Sequence, residues 1–121
     1  MIKTILVIDD DRGTLDVLEL VISGLNIDVA TSADVIPVSK ISEINPALVI
    51  LDHWLTSGYG GDLCLKIKTN AATKHIPVIL MSATFDIRQV ASDNCADGYL
   101  DKPFEVKEFE KLIRRFVPMG I

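Results

Sequence analysis

Residues 5 to 11 read ILVIDDD, four aliphatic side chains that run directly into three aspartates. An uninterrupted aliphatic run of this kind is typical of a strand that is buried on both faces of a parallel sheet. Such a strand normally ends in a turn residue, so three adjacent carboxylates are an unusual ending. The residues that follow the other aliphatic runs explain it.

Five segments of the chain read as strands. Ile5–Ile8, Leu48–Leu51 and Val78–Met81 are continuous aliphatic runs, and Ile27–Thr31 and Gly98–Asp101 are weaker candidates. Each gap between successive strands leaves room for one helix, as a parallel crossover connection requires. The sequence therefore predicts an α/β fold with a doubly wound, five-stranded parallel sheet and five helices.

Helical periodicity supports a helix in each gap. In the first, Leu15, Leu18, Ile22 and Leu25 form a stripe, and Asp11 is the predicted N-cap. The other predicted helices are Val35–Ile44 with Asp34 as N-cap and Pro37 in the first turn, Gly61–Asn70 with Lys66 and Lys68 outward, Ile87–Asn94 capped by Asp86, and a C-terminal helix with Val106, Phe109, Leu112, Ile113 and Phe116 on one face.

Length and charge limit the possible functions. The 121 residues fit one domain, residues 1–121, and the net charge of −5 argues against direct binding to nucleic acid. The longest aliphatic run, Ala47–Leu51, is too short to cross a bilayer, and the N-terminus does not read as a signal peptide. We therefore expect a protein of the cytoplasm that does not bind membranes.

A polar residue directly follows four of the five predicted strands, namely the first, third, fourth and fifth. Asp9 and Asp10 follow the first run, Asp52 follows Leu48–Leu51, Ser82 follows Val78–Met81, and Lys102 follows the last strand. In open α/β sheets the ligand site lies beyond the carboxyl ends of the strands. The sequence thus predicts that three carboxylates, a hydroxyl and an ammonium group meet at one edge of the sheet.

These residues lie in four segments that together resemble the receiver domain of two-component response regulators: ILVIDDD, LVILDHWLTSGYGGDLC, PVILMSA and ADGYLDKPF. The resemblance covers nearly the whole chain, and it implies a flavodoxin-like sheet of order 2-1-3-4-5. It also implies a role for each site residue: Asp52 is the phosphoacceptor, Asp10 and Asp9 are the acidic pair that holds Mg²⁺, Ser82 is the switch hydroxyl, Tyr99 is the switch aromatic, and Lys102 is the family's cation.

Mg²⁺ suits such a site because adjacent carboxylates repel one another unless a cation lies between them. We expect Asp10 and Asp52 to be direct ligands, Asp9 to bind through water, and the backbone carbonyl of Trp54 to complete the set. Asp52 is then the nucleophile that takes a phosphoryl group from a phosphohistidine, and Lys102 pairs with a phosphoryl oxygen. The Lys102–Pro103 bond is a candidate for a cis peptide.

The resemblance also implies partners. The donor would be a sensor histidine kinase or a histidine phosphotransfer protein. Phosphorylation would draw Ser82 toward the site and let Tyr99 rotate inward, and a protein target would bind the face formed by the last short helix, the final strand and the C-terminal helix. The chain is expected to catalyse only its own phosphorylation and dephosphorylation.

Two positions depart from the family pattern. Thr56 stands four residues after Asp52, where the family usually has proline, and with the glycines that follow it predicts a mobile loop. Trp54 is large for the rim of the site; it either shields the acyl phosphate or simply packs on the loop. The alternative reading is therefore a receiver-like interaction domain that acts without phosphorylation. A phosphomonoesterase is a third possibility, but Trp54 stands where its second acid would be.

Overall fold

Five parallel strands form the central sheet, and helices cover both of its faces. The structure, a computed structural model, describes residues 3–83 and 86–117. In chain order the elements are β1 (Thr4–Ile8), α1 (Arg12–Gly24), β2 (Asp28–Ser32), α2 (Val38–Ile44), β3 (Leu48–Asp52), β4 (Trp54–Leu55), β5 (Gly58–Tyr59), α3 (Gly60–Thr69), β6 (Val78–Ser82), α4 (Ile87–Asp93), β7 (Gly98–Asp101) and α5 (Val106–Phe116). No helix in these ranges has the length and apolar character needed to cross a bilayer.

The strand order of the sheet is β2-β1-β3-β6-β7, and every neighbouring pair is parallel. The short strands β4 and β5 form a separate antiparallel hairpin. Without that hairpin, the five long strands have the predicted order 2-1-3-4-5. The order reverses between β1 and β3, which is where a site at the carboxyl ends is expected.

Two apolar cores, one on each side of the sheet, explain why the strands are continuously aliphatic. Ile5 of β1 contributes to the core under α1 and α5, whereas its neighbour Leu6 points to the core under α2, α3 and α4. Successive side chains of a strand point to opposite faces, so a strand between two cores needs apolar residues at every position. Because both faces are buried, each central strand extends only as far as its apolar run. The polar residues that follow the runs therefore lie at the strand ends.

The helix α1 begins as predicted. Asp11 is the N-cap, and its Oδ2 accepts hydrogen bonds from the amide and the hydroxyl of Thr14, at 3.2 and 2.6 Å. The predicted stripe is buried at Leu15, Leu18 and Ile22. Asp11 therefore caps the helix and does not join the acidic cluster, as the sequence indicated.

The predicted start of α2 is wrong. The helix begins at Val38, and Pro37, not Asp34, is the N-cap residue. A residue before proline disfavours helical backbone angles, so Ile36 cannot continue a helix into Pro37. Asp34 instead takes part in a turn, in which its amide donates to the Ser32 hydroxyl at 3.2 Å and its carbonyl accepts from the same hydroxyl at 2.8 Å.

Three smaller predictions also need correction. Lys68 does not point outward, since its ammonium donates to the Ile76 carbonyl at 3.0 Å and pairs with Asp97 at 2.9 Å. Asp86 takes the N-cap position of α4, but its side chain makes no capping hydrogen bond. The segment after Asp52, for which the sequence favoured a mobile loop, is the β4–β5 hairpin.

Candidate phosphoacceptor site

The carboxyl ends of β1 and β3 bring three aspartates together. Asp9 and Asp10 follow β1, Asp52 is the last residue of β3, and one carboxylate oxygen from each of the three lies within 4.8 Å of the others. The predicted meeting of these carboxylates at one sheet edge is therefore found. Asp9 and Asp52 are buried, whereas Asp10 is exposed.

Lys102 faces two of these carboxylates. Its ammonium lies 2.7 Å from Asp9 Oδ2 and 3.2 Å from Asp52 Oδ1. Burial alone would lower the pKa of Lys102, but the hydrogen bond to Asp9 and the charge of Asp52 outweigh it and leave the pKa raised. The lysine therefore stays cationic, and the Lys102–Pro103 peptide bond that follows it is cis, as the sequence suggested.

Both oxygens of Asp9 already have partners. Oδ1 accepts the Asp11 amide at 2.9 Å, and Oδ2 accepts the Lys102 ammonium. A buried carboxylate needs such partners because transferring a charge out of water is costly. Asp9 thus anchors Lys102 at the centre of the site.

Asp52 holds a proton more readily than an ordinary aspartate does. Burial and, after it, the negative charge of Asp9 raise the pKa of Asp52, Lys102 opposes both effects, and the resulting pKa is about 6. At neutral pH Asp52 is mostly ionised, but its surroundings make the ionised form less favourable than it is in water. Positive charge brought to this edge of the sheet would relieve that cost.

Asp10 is held by a residue that the sequence analysis did not assign to the site. Its Oδ2 accepts the Thr56 amide at 2.8 Å and the Thr56 hydroxyl at 2.7 Å, and these bonds lower the pKa of Asp10. From the sequence alone, Thr56 stands out only as a departure from proline. The available signal was chemical, since threonine offers an amide hydrogen and a hydroxyl where proline offers neither.

The β4–β5 hairpin carries Thr56 over the site. A close approach at its base requires glycine, because a Cβ on Gly60 would lie 2.1 Å from the Asp52 carbonyl oxygen. The rings of His53, Trp54 and Tyr59 contact one another along the hairpin, with centroids 4.9 to 5.6 Å apart. The Trp54 ring is about half exposed and packs on this hairpin, which agrees with the packing alternative for that residue.

The two predicted switch residues lie on neighbouring strands. Ser82 is fully buried at the carboxyl end of β6, and its carbonyl accepts the Lys102 amide at 2.9 Å. Tyr99 lies on the edge strand β7 with its side chain 39% exposed. The structure thus places Ser82 at the same sheet edge as the acidic cluster, whereas Tyr99 belongs to the face formed by α4, β7 and α5.

Comparison with known proteins identifies the family. The model of the response regulator receiver domain matches residues 5–114. The chain belongs to the response regulator receiver domain family. The DNA-binding response regulator MtrA of Mycolicibacterium paratuberculosis is 31% identical over 117 residues, which are 94% of this chain and 51% of MtrA. This receiver chain thus spans about half the length of the curated relatives it matches.

Solved structures of receiver proteins share the fold. A protein described as a response regulator from Chloroflexus aurantiacus superposes with a TM-score of 0.86 at 28% identity, over 96% of this chain and 98% of that one. The receiver domain of the Pseudomonas aeruginosa sensor histidine kinase PA1611, with a magnesium ion in its active site cleft, superposes with a TM-score of 0.85 at 22% identity, over 96% and 98% of the two chains. The likeness to PA1611 concerns the fold alone.

Proposed function

We propose that this receiver domain takes a phosphoryl group from a partner phosphohistidine onto Asp52, with Mg²⁺, and that the modification changes the face it offers to a target. The observation that carries the proposal is the charge arrangement. A lysine lies 3.2 Å from a buried aspartate, and two further aspartates lie close by. This arrangement offers both an anionic nucleophile and positive charge for the incoming phosphoryl oxygens.

The donor set fits Mg²⁺. This ion takes one or two carboxylates and keeps several waters, and the three aspartates supply oxygen ligands only. Asp10 and Asp52 would be direct ligands, together with the Trp54 carbonyl. Asp9 would bind through water, because each of its oxygens already accepts a hydrogen bond, one from the Asp11 amide and one from the Lys102 ammonium. When bound, the ion would neutralise charge on the transferring phosphoryl group.

The chain's own residues would carry the transfer. An oxygen of Asp52 forms a bond to phosphorus while the bond from phosphorus to the donor histidine nitrogen breaks. Lys102 then exchanges part of its contact with Asp52 for a phosphoryl oxygen, while its 2.7 Å bond to Asp9 keeps the ammonium in place. Ser82, at the end of the adjacent strand, would donate its hydroxyl hydrogen to a second phosphoryl oxygen.

The output would run through β7. Lys102 directly follows this strand, and Tyr99 lies on it beside a cleft of about 730 Å³ between α4 and α5. If Ser82 moves toward the phosphoryl group, the Tyr99 ring can turn inward and change the shape of that cleft. A downstream protein target would recognise the α4–β7–α5 face.

The proposed partners follow from this chemistry. A sensor histidine kinase or a histidine phosphotransfer protein would be the donor, in the cytoplasm. The receiver would catalyse only its own phosphorylation and dephosphorylation. Residues 1–121 would act as one receiver unit, and the net charge of −5 argues that these residues do not contact nucleic acid directly.

A phosphodonor experiment tests the proposal. The protein is incubated with Mg²⁺ and acetyl phosphate, and its intact mass is measured. We expect one phosphoryl group per chain, none in Asp52→Asn, and none when a chelator replaces Mg²⁺. Beryllofluoride should likewise quench or shift the fluorescence of Trp54 in the wild type and not in Asp52→Asn.

Two other outcomes would replace the proposal. An unchanged mass and an unchanged fluorescence would favour an interaction domain that acts without phosphorylation. Steady release of phosphate from a small phosphomonoester would favour a hydrolase.

A further inference from the structure

Thr56 makes two hydrogen bonds to a single oxygen of Asp10. Its amide lies 2.8 Å and its hydroxyl 2.7 Å from Asp10 Oδ2. Asp10 is exposed, and an exposed aspartate would otherwise sample several rotamers. The two bonds from the hairpin therefore define where the Asp10 carboxylate points before any ligand arrives.

We propose that Thr56 is a positioning residue for the metal ion, an inference that rests on the proposed function. A carboxylate oxygen has two lone pairs, and on Asp10 Oδ2 both are directed to Thr56. The metal would then take the other oxygen, Oδ1, as a single-atom ligand, which suits the strict octahedral geometry of Mg²⁺. Thr56 thus prepares Asp10 for the metal in the way that outer hydrogen-bond partners orient ligating carboxylates elsewhere.

The hairpin that carries Thr56 is itself anchored. The hydroxyl of Ser57 accepts the Val35 amide at 2.9 Å, and the Gly60 amide donates to the His53 carbonyl at 2.7 Å. Thr56 is therefore presented from a fixed turn between two anchor points. A proline at position 56 could make neither bond to Asp10, so this form of positioning belongs to the present chain and depends on its threonine.

Calorimetric titration with Mg²⁺ tests the role of the hydroxyl. Thr56→Val removes the hydroxyl but keeps the amide and nearly the same shape. We expect its Kd for Mg²⁺ to rise by about three- to tenfold, at or below the lower end of the roughly 10- to 100-fold effects known for outer partners of metal ligands, because one of the two bonds remains. Thr56→Ser keeps both donors and should bind Mg²⁺ as the wild type does.

Ser57→Ala is the matched control, because it removes the neighbouring hydroxyl of the same turn, whose partner is Val35 rather than Asp10. We expect it to bind Mg²⁺ more tightly than Thr56→Val does, and the metal-free melting temperatures of both variants are recorded beside the titrations. Equal affinity of Thr56→Val and the wild type would overturn the proposal. Equal weakening of Mg²⁺ binding in Thr56→Val and Ser57→Ala would also overturn it, because a loss of order in the hairpin would then explain both results. Failure of the wild type to bind Mg²⁺ would instead refute the proposed function, and this inference with it.

Discussion

At the scale of single residues, the buried position of Asp52 lowers the free energy of unfolding at pH values above its pKa. Its pKa is raised to about 6 by burial and by Asp9, so in the folded protein it keeps a proton that the unfolded chain loses near pH 4. The stabilising effect of that proton is complete below about pH 4 and is lost as the pH rises through 6. The loss amounts to about 3 kcal/mol at most, since each pKa unit corresponds to about 1.4 kcal/mol.

Asp52→Asn should therefore stabilise the metal-free protein at pH 8. We expect the free energy of unfolding to rise by about 1–3 kcal/mol and the gain to shrink toward zero near pH 4. Urea unfolding with a chelator present, repeated across this pH range, measures both. Asp10→Asn is the control, because the pKa of Asp10 is lowered and its charge is favoured by the fold. A similar gain in Asp10→Asn, or none in Asp52→Asn, would contradict this account of the site.

Trp54 offers a second prediction for a single residue. If its half-exposed ring shields the acyl phosphate, Trp54→Ala should lose phosphate severalfold faster than the wild type. The measurement is the decay of radiolabelled phosphoprotein after removal of the donor. Tyr59→Ala, which removes the ring that Trp54 contacts across the hairpin, should have the smaller effect. Equal rates in the wild type and Trp54→Ala would leave the ring with a packing role only.

At the scale of elements, the hairpin depends on Gly60. Any side chain there would collide with backbone atoms of Asp52 and His53, which cannot move aside without displacing the site. Gly60→Ala should lower the free energy of unfolding by about 2 kcal/mol or more. Gly24→Ala is a matched control near the end of α1, where a Cβ meets nothing within 4 Å, and it should be neutral or slightly stabilising. Equal stability of the two variants would show that the hairpin accommodates a side chain at position 60 at little cost.

The sequence predicts best those elements whose pattern of apolar residues matches the faces that the fold buries. The aliphatic runs at Ile5–Ile8 and Leu48–Leu51 indicate strands with two covered faces, and the carboxyl ends of these strands bring Asp9 and Asp52 to one edge of the sheet. The hairpin was missed because strands of two residues carry no period that a sequence can reveal. The bond between Thr56 and Asp10 was missed with it, since it joins residues 46 positions apart.

At the scale of the whole molecule, the site and the proposed output face share one strand. The Lys102 amide donates to the Ser82 carbonyl at 2.9 Å, and Lys102 directly follows β7, which carries Tyr99. β7 pairs only with β6 in the sheet of the described residues, so it is an edge strand with one ladder of hydrogen bonds to hold it. A change at Ser82 and Lys102 can therefore reach the α4–β7–α5 face over a short path.

This path predicts where beryllofluoride will act. In amide spectra of the protein with Mg²⁺, addition of beryllofluoride should shift signals at the site and also across α4, β7 and α5, because the bound group recruits Ser82 and frees room for Tyr99. Ser82→Ala should keep the shifts around Asp52 but lose most of those on the α4–β7–α5 face. The exposed serine of α2 gives the control Ser39→Ala, which should respond like the wild type. If Ser82→Ala still shows the full response on that face, the coupling does not run through this hydroxyl.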